Sequence, residues 1–206
     1  MKFERIVVGE LGVNCYLLYS ELSKECFILD PGDESEKISD MIKKKQLKPE
    51  AVILTHAHMD HCGGVENLLS EFNIPMIMHK QDIPVLESDA NKELGAALGM
   101  VLPSAPNRYF KDNDTIESGG MKLKIIHTPG HTPGSVCIMT EDMLFTGDTL
   151  FAGSIGRTDL QGGNFKTITE SIEIIKSLPS GLKVMPGHGD FTTLEHEIMY
   201  NPFLNN

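Results

Sequence analysis

The sequence predicts an α/β protein in which two β-sheets pack face to face and helices cover their outer surfaces. The first observation is that short apolar or alternating segments, typical of strands, occur in both halves of the chain. The second is that the order strands, helix, strand, helix occurs before residue 107 and again after it. The chain has 206 residues, 40% of them hydrophobic, which is enough to bury a sizeable core. We expect one domain spanning residues 1–206.

The first half is predicted to begin with three strands and to continue with alternating helices and strands. Apolar runs place the strands, and apolar residues at every third or fourth position place the helices. The predicted strands are 3–8, 13–19, 26–29, 52–54 and 76–78, and the predicted helices are about 36–46 and 65–72. Ser35 directly precedes the first helix and is its expected N-cap.

Residues 80–106 form a less regular segment. Three prolines interrupt it, and only short helices around 81–87 and 91–99 fit the pattern of its apolar residues. Long irregular segments in enzymes often cover or shape a binding site. We therefore expect a lid or specificity loop here.

The second half repeats this order of elements without visible sequence identity to the first. Its predicted strands are near 108–110, 114–117, 122–126, 135–140, 143–145 and 183–185, and its predicted helices are 166–177 and about 193–200. The repeat therefore rests on element order alone. Two such halves can close as two packed sheets.

Composition and charge narrow the classes of partner. The net charge is −11, from 18 basic and 29 acidic residues, which argues against nucleic acid. No apolar run approaches the roughly 20 residues that span a bilayer, and the charged N-terminus lacks a signal-peptide core. We expect a cytoplasmic protein, monomeric or homodimeric, that acts on a small molecule and binds neither membrane nor nucleic acid. Its four widely spaced cysteines are expected to be free thiols.

The sequence AVILTHAHMDH at 51–61 carries the densest cluster of polar side chains. A short apolar run ends there, and three imidazoles and one carboxylate follow within six positions: His56, His58, Asp60 and His61. Two glycines and an amphipathic helix come next, so the cluster is predicted to lie in a turn between a strand and a helix. Neutral imidazole and carboxylate are ordinary ligands of divalent transition metals, so this turn is a candidate metal site.

Three further candidate ligands share this local design. In each case a short apolar run stops, glycine or proline makes a turn, and an imidazole or carboxylate follows: His131, Asp148 and His188. Loops at strand ends over a rigid scaffold are a common place for an active site. The full set of five histidines and two aspartates exceeds what one tetrahedral zinc needs. It fits two divalent ions that share one carboxylate.

The motifs H56-x-H58-x-D60-H61, HTPGHTPGS, FTGDTLFAGSIGRTD and PGHG resemble the metallo-β-lactamase superfamily along the whole chain. Within it the sequence is most similar to glyoxalase II-like thioester hydrolases, in a short form without the C-terminal helical domain. The resemblance implies an αββα sandwich, two mixed β-sheets with helices on the outer faces. It also implies that His56, His58 and His131 hold one metal, that Asp60, His61 and His188 hold the other, and that Asp148 bridges them.

The activity that the resemblance implies is thioester hydrolysis, of the hydroxyacylglutathione hydrolase type, by a hydroxide on a dinuclear centre. Zinc is the expected metal, and iron or manganese also suit these ligands. Asp60 and Asp148 are the expected catalytic residues, since Asp60 orients the nucleophile and Asp148 holds both ions together. The substrate is expected to be an anionic thioester, because two dications leave the ligand set with net positive charge.

Departures from related families leave alternatives open. Persulfide dioxygenases share the ligand series and the GRTD at 156–159, but they use one iron. Lactonases have a similar ligand set but carry tyrosine where this chain has Phe151. The familiar zinc β-lactamases lack the bridging aspartate, which argues against antibiotic hydrolysis. A mononuclear-iron persulfide dioxygenase is therefore the main alternative, and a lactonase or other ester hydrolase is the second.

Several other residues have two interpretations. Arg157 matches a residue that contacts glutathione in the glyoxalase II family, but it could equally pair with Asp159. His79 and His127 are expected at the surface or behind the ligands, and His196 in solvent. Asp30 and Thr55 could orient ligand imidazoles or cap a turn. Cys62, beside His61, is expected to be a core or turn residue rather than a reactive thiol.

Overall fold

Two six-stranded β-sheets form the centre of the structure, a computed structural model that describes residues 1–106 and 108–205. In the first sheet the strands lie in chain order: β1 (Lys2–Val8), β2 (Val13–Tyr19), β3 (Glu25–Leu29), β4 (Lys48–Ile53), β5 (Met76–His79) and β6 (Tyr109–Phe110). The first three strands pair antiparallel and the last four pair parallel, so the sheet is mixed.

Helices connect the parallel strands of the first sheet, as parallel pairing requires. They are α1 (Ser35–Lys44), α2 (Met59–Cys62), α3 (Val65–Phe72), α4 (Ile83–Leu86) and α5 (Asp89–Ala97), with a 3₁₀ turn at Lys80–Asp82. The last two helices lie within residues 80–106, close to where short helices were predicted. This segment is therefore ordered helix and loop.

The second sheet is also mixed. Its strands are β7 (Thr115–Ser118), β8 (Met121–His127), β9 (Val136–Met139), β10 (Met143–Gly147), β13 (Lys183–Pro186) and β14 (Thr192–Thr193), in the spatial order β14-β13-β10-β9-β8-β7. Only the β10–β13 pair is parallel. A separate hairpin of β11 (Leu150–Phe151) and β12 (Ser154–Ile155) follows β10, and the helices are α6 (Phe165–Lys176) and α7 (Leu194–Tyr200).

Three clusters of buried apolar side chains show how these layers pack. The central cluster joins the inner faces of the two sheets, and Tyr16 of β2 meets Phe145 of β10 there with ring centroids 5.0 Å apart. A second cluster packs α1 and α3 against the outer face of the first sheet. A third packs α6 and α7 against the outer face of the second sheet. The predicted αββα sandwich of two mixed sheets is confirmed.

Most predicted elements appear within a few residues of their expected bounds, and the exceptions have local causes. Ser35 is not the N-cap of α1, because Glu34 takes that position with a left-handed backbone and no side-chain cap. The Ser35 hydroxyl instead accepts a hydrogen bond from Asn67. Strands β11, β12 and β14 were not predicted, since a two-residue strand shows no periodicity.

Two expectations about the whole chain can be compared with the structure. All four cysteines are free and buried, as predicted: Cys15, Cys26, Cys62 and Cys137. Within residues 1–106 and 108–205, no helix is long and apolar enough to cross a membrane. The assignment of residues 1–206 to one domain stays a prediction. Unfolding can test it, because both sheets share the central apolar cluster and should unfold together if they form one domain.

We expect Phe145→Ala to lower the free energy of unfolding by about 3–5 kcal/mol, because the ring is fully buried between the sheets. Phe165→Ala is the matched control, since Phe165 is 61% exposed and should change stability by about 0.5 kcal/mol or less. Urea unfolding followed by circular dichroism measures both. If the chain is one domain, each variant unfolds in a single transition. Equal stability of the two variants, or two separate transitions, would contradict this picture.

Candidate metal centre

All seven predicted ligands meet at one edge of the sandwich. They lie on loops that follow strand ends: β4 supplies His56, His58, Asp60 and His61, β8 is followed by His131, β10 by Asp148, and β13 by His188. Strands β8, β10 and β13 run in the same direction, so their carboxyl ends open onto the same edge. The fold thus brings together groups more than 130 positions apart.

The first predicted triad is His56, His58 and His131. Their candidate ligand atoms lie within 4.8 Å of one another, and His58 Nδ1 is 2.9 Å from His131 Nε2. Burial and the neighbouring imidazoles hold the pKa of His56 well below its ordinary value. Burial, reinforced by His131, lowers the pKa of His58 to about 4. Both imidazoles are therefore neutral at physiological pH, the form that binds metal.

The second predicted triad is Asp60, His61 and His188, again with ligand atoms within 4.8 Å. His188 Nε2 lies 3.3 Å from Asp60 Oδ2 and 3.3 Å from His61 Nε2. Burial opposes a charge on His61, but Asp148 and Asp60 outweigh it and raise its pKa well above the ordinary value. Metal binding by this imidazole would therefore release a proton.

Asp148 lies between the two triads. Its Oδ1 is 3.3 Å from His61 Nε2, and its Oδ2 is 3.7 Å from His131 Nε2 and 3.6 Å from His188 Nε2. Burial alone would raise the pKa of this carboxyl group, but the imidazole of His61 lowers it below its ordinary value. The carboxylate thus faces imidazoles of both triads, since Oδ1 is near His61 of the second and Oδ2 is near one imidazole of each.

Glycine is required beside this carboxylate for a steric reason. A Cβ on Gly187 would collide with Asp148 Oδ1, and a Cβ on Gly147 would collide with Thr55 Oγ1. Gly147 also has a φ of +46°, a conformation that favours glycine. The turns that sequence analysis identified by their glycines are therefore those that let the ligand loops approach closely.

The donor set of the described residues fits divalent metal ions. His56 Nε2 and Asp148 Oδ1 are buried and have no hydrogen-bond partner, which is costly unless another group satisfies them. Two ligand atoms at about 2.0–2.1 Å from one tetrahedral zinc lie about 3.3 Å apart, close to the observed separations. Five imidazoles and two carboxylates are also the ligand types that zinc and iron accept.

Asp30 and Thr55 lie directly behind the ligands. Asp30 accepts hydrogen bonds from the Thr55 backbone N–H and hydroxyl, both at 2.7 Å, and its Oδ2 lies 3.2 Å from His61 Nδ1. Thr55 Oγ1 is 3.2 Å from His56 Nδ1. The hydrogen bond from Thr55 orients the His56 imidazole, as one of the two interpretations expected, and Asp30 places a carboxylate beside His61.

Two residues that hold the ligand loops were not identified from sequence. The buried carboxylate of Asp82 accepts hydrogen bonds from the Ala57 N–H, the Thr132 hydroxyl and the Gly134 N–H, so it joins the His56–His58 loop to the His131 loop. Asn91 accepts from the Met59 N–H and donates to the Ala57 carbonyl. Their partners are 25 to 52 positions away, so no local pattern reveals them.

The other histidines lie outside the cluster. His79 and His127 stack with ring centroids 4.2 Å apart, and His127 Nε2 is 2.9 Å from the Pro133 carbonyl in the His131 loop. His196 is exposed on α7, as expected. Cys62 is fully buried, and burial raises the pKa of its thiol well above the ordinary value, so it is a core residue.

Arg157 pairs with Asp159 in the structure, and its contact with a substrate stays a prediction. Its Nε and Nη2 donate to the two carboxylate oxygens of Asp159 at 2.8 and 2.7 Å, and both side chains are exposed. Its backbone carbonyl lies 2.8 Å from His131 Nδ1. The structure thus shows the pairing with Asp159 and a backbone contact that orients His131.

One local prediction needs correction. Asp60 and His61 do not lie in an open turn, because Met59–Cys62 forms the short helix α2. The His58 backbone is extended and precedes this helix, so successive ligands change direction within four residues. The pattern was too short for helical periodicity to appear in the sequence.

The cluster opens into two clefts that share His131, Asp148, Arg157 and His188 as lining. The first, which we call the Leu94 cleft, has a volume of about 330 Å³ and is also lined by Leu11, His58, Met59, Asp60, Asn91, Leu94 and Leu160. The second, the Phe151 cleft, has a volume of about 470 Å³ and is also lined by Phe151, Ser154, Ile155 and Gly189.

The αββα sandwich and the histidine–aspartate cluster at its edge together define a class of metal-binding proteins. The sequence profile described as the Metallo-beta-lactamase superfamily matches residues 8–188. The chain belongs to the metallo-beta-lactamase superfamily, as the sequence motifs predicted. The cluster is therefore of a type that binds divalent metals.

Known relatives and solved structures agree with this assignment. The "probable metallo-hydrolase YqgX" of Bacillus subtilis is 39% identical, over 100% of this chain and 98% of the relative. The hydroxyacylglutathione hydrolase GloC of Haemophilus influenzae is 34% identical, over 100% and 99%. Among structures, the B3 metallo-beta-lactamase BLEG-1 has a TM-score of 0.91 at 38% identity and full coverage of both chains. TTHA1623 in a di-iron-bound form has a TM-score of 0.87 at 36% identity, covering 98% and 100%.

We expect Asp82→Asn to lower the free energy of unfolding by about 1–3 kcal/mol, because a single amide oxygen cannot replace two carboxylate oxygens that accept three hydrogen bonds. Since Asp82 connects two ligand loops, metal affinity should also weaken by about 10-fold or more. Chemical unfolding and metal titration measure the two effects.

Asp142→Asn is the control for this variant. Its carboxylate is 61% exposed and 3.8 Å from Lys183 Nζ, a surface pair worth about 1 kcal/mol or less. Unchanged stability and metal affinity in Asp82→Asn would show that the joined loops do not depend on this carboxylate.

Proposed function

We propose that the chain is a dinuclear metal-dependent thioester hydrolase, similar in activity to a hydroxyacylglutathione hydrolase. The observation that carries the proposal is the position of Asp148, whose two oxygens face imidazoles of both triads at 3.3–3.7 Å. A carboxylate in that position can bridge two ions. The 34% identity to GloC supports the choice of a thioester as substrate.

In this proposal each ion has its own triad. His56, His58 and His131 would hold the first, Asp60, His61 and His188 would hold the second, and Asp148 would be shared by both. Zinc is the proposed metal, with iron as the second choice because a 36% identical structure is described as di-iron-bound. When bound, such ions lower the pKa of water from 15.7 to about 7 and polarise the acyl oxygen.

The chain's own residues position the reactants. Asp60 is 13% exposed in its side chain and Asp148 12%, so both carboxylates face the clefts and can accept a hydrogen bond from the attacking water. The oxygen of that water forms a bond to the thioester carbon, the C–S bond breaks, and the products are a carboxylate and a thiol. Thiols have a pKa of about 8.5, so the thiolate can leave without a general acid.

A second candidate function follows from one of the comparisons. BLEG-1, at 38% identity and full coverage, is described as a B3 metallo-beta-lactamase. This likeness favours including β-lactams among the substrates tested, although the sequence motifs argue against antibiotic hydrolysis. A lactone or other ester is a further hydrolytic substrate, and a persulfide oxidised by a single iron is the rival chemistry.

Metal stoichiometry and oxygen dependence distinguish these functions. We expect natively purified protein to contain two metals per chain and to hydrolyse a thioester such as lactoylglutathione equally well without oxygen. Elemental analysis and a panel of thioester, lactone, β-lactam and persulfide substrates measure this. One iron per chain with oxygen uptake on the persulfide would replace the proposal with the oxygenase.

We expect Asp148→Ala to lose at least one of the two metals and to lower thioester kcat/KM by more than about 100-fold, because both ions lose a shared ligand. Asp190→Ala is the control, since Asp190 is an exposed aspartate two residues after His188. It should retain both metals and full turnover. Near-normal metal content and turnover in Asp148→Ala would refute the bridged centre.

A further inference from the structure

Apart from the predicted ligands, the lining of the two clefts is largely apolar. The Leu94 cleft places four apolar side chains beside the ligands: Leu11, Met59, Leu94 and Leu160. The three leucines in this set, Leu11, Leu94 and Leu160, are exposed to 49%, 54% and 38%. Exposed apolar side chains that cluster at one place mark a binding surface for an apolar group.

These side chains are held in place by the same elements that hold the ligands. The Leu11 carbonyl lies 3.1 Å from His188 Nδ1, and Met59 begins the helix that carries two ligands. Leu94 is three residues after Asn91 on α5, so it lies on the same helix face as the side chain that bonds the Met59 N–H. The apolar lining is therefore a built part of the site.

Positive charge at the clefts is limited. Arg157 is the only lysine or arginine among the described residues that line either cleft, and its Nε and Nη2 donate to Asp159. A thiol such as glutathione carries two carboxylates, which ordinarily need cationic or hydrogen-bonding partners. The described lining of the two clefts offers one cation for two carboxylates, and it offers several apolar side chains.

We propose that the substrate is a thioester with an aliphatic acyl chain in the Leu94 cleft and an uncharged thiol portion in the Phe151 cleft. This inference rests on the proposed thioester hydrolysis and replaces the expected anionic thioester with an apolar one. Both clefts open onto the ligand cluster, so the thioester carbonyl, which joins the acyl chain to the thiol portion, lies at the cluster. The Leu94 cleft is given to the acyl group because apolar side chains from four separate segments surround it.

Acyl chain length provides the test. With N-acetylcysteamine thioesters from acetyl to hexanoyl, kcat/KM of the purified holoenzyme should rise about fourfold per added methylene, the value of burying one CH₂. Leu94→Ser should flatten this slope. Two control variants should keep the slope of the wild type. Ile155→Ser changes only the Phe151 cleft, and Leu98→Ser changes an exposed position at the end of α5 that lines neither cleft.

The failure of this inference and the failure of the proposed function give different results. If thioesters are hydrolysed but the slope is flat, or if lactoylglutathione is preferred tenfold over the hexanoyl thioester, the apolar substrate is wrong and the hydrolase stands. If no thioester is hydrolysed, the proposed hydrolase function is wrong.

Calorimetry with non-hydrolysable S-alkyl-N-acetylcysteamine thioethers tests the Leu94 cleft directly, without turnover. Affinity that rises with chain length in the wild type but not in Leu94→Ser supports it, and affinity independent of length overturns it.

Discussion

The buried carboxylate of Asp148 is the constraint on which the rest of the site depends. A charge removed from water is stable only if opposite charge or hydrogen-bond donors surround it. Here the imidazoles of His61, His131 and His188 face it from three different loops. The His61 loop follows a strand of the first sheet, and the His131 and His188 loops follow strands of the second, so a small shift of either sheet would separate the groups. The packing of Tyr16 against Phe145 between the sheets therefore also maintains the distances at the site.

The hydrogen bonds behind the ligands extend this constraint across the sandwich. Asp30 follows a strand of the first sheet and contacts both Thr55 and His61. Asp82 joins the His56–His58 loop, which follows the first sheet, to the His131 loop, which connects two strands of the second. Carboxylates suit this task because each can accept several hydrogen bonds from backbone N–H groups. The ligand loops are consequently preorganised by contacts within the protein, which reduces the ordering that metal binding must supply.

The sequence predicted the αββα fold and every member of the ligand cluster, because both depend on local patterns. Apolar runs mark strands, and a histidine or aspartate after a glycine turn is visible without knowledge of its partners. Asp82 and Asn91 could not be found in this way, since their roles arise only when loops distant in sequence meet. The helix at Met59–Cys62 and the strands β11, β12 and β14 were missed because they are too short for a periodic pattern to repeat. The Arg157–Asp159 pair was one of two interpretations that spacing alone could not separate.

The rims of the two clefts are attached to the scaffold by side chains that are not predicted metal ligands. Helix α5 carries Leu94 and is tied to the ligand loop by Asn91. The β11–β12 hairpin carries Phe151 and Ile155 and is tied to α7, where buried Glu197 accepts a hydrogen bond from Gly153 and Asn201 donates to the Ser154 carbonyl. Because Leu94, Phe151 and Ile155 are not predicted metal ligands, substitutions of these side chains can alter the shape and polarity of the clefts while the cluster keeps its geometry. Within one superfamily, a constant set of ligands can thus serve substrates of different chemistry, and the specificity of this chain must be sought in its rims.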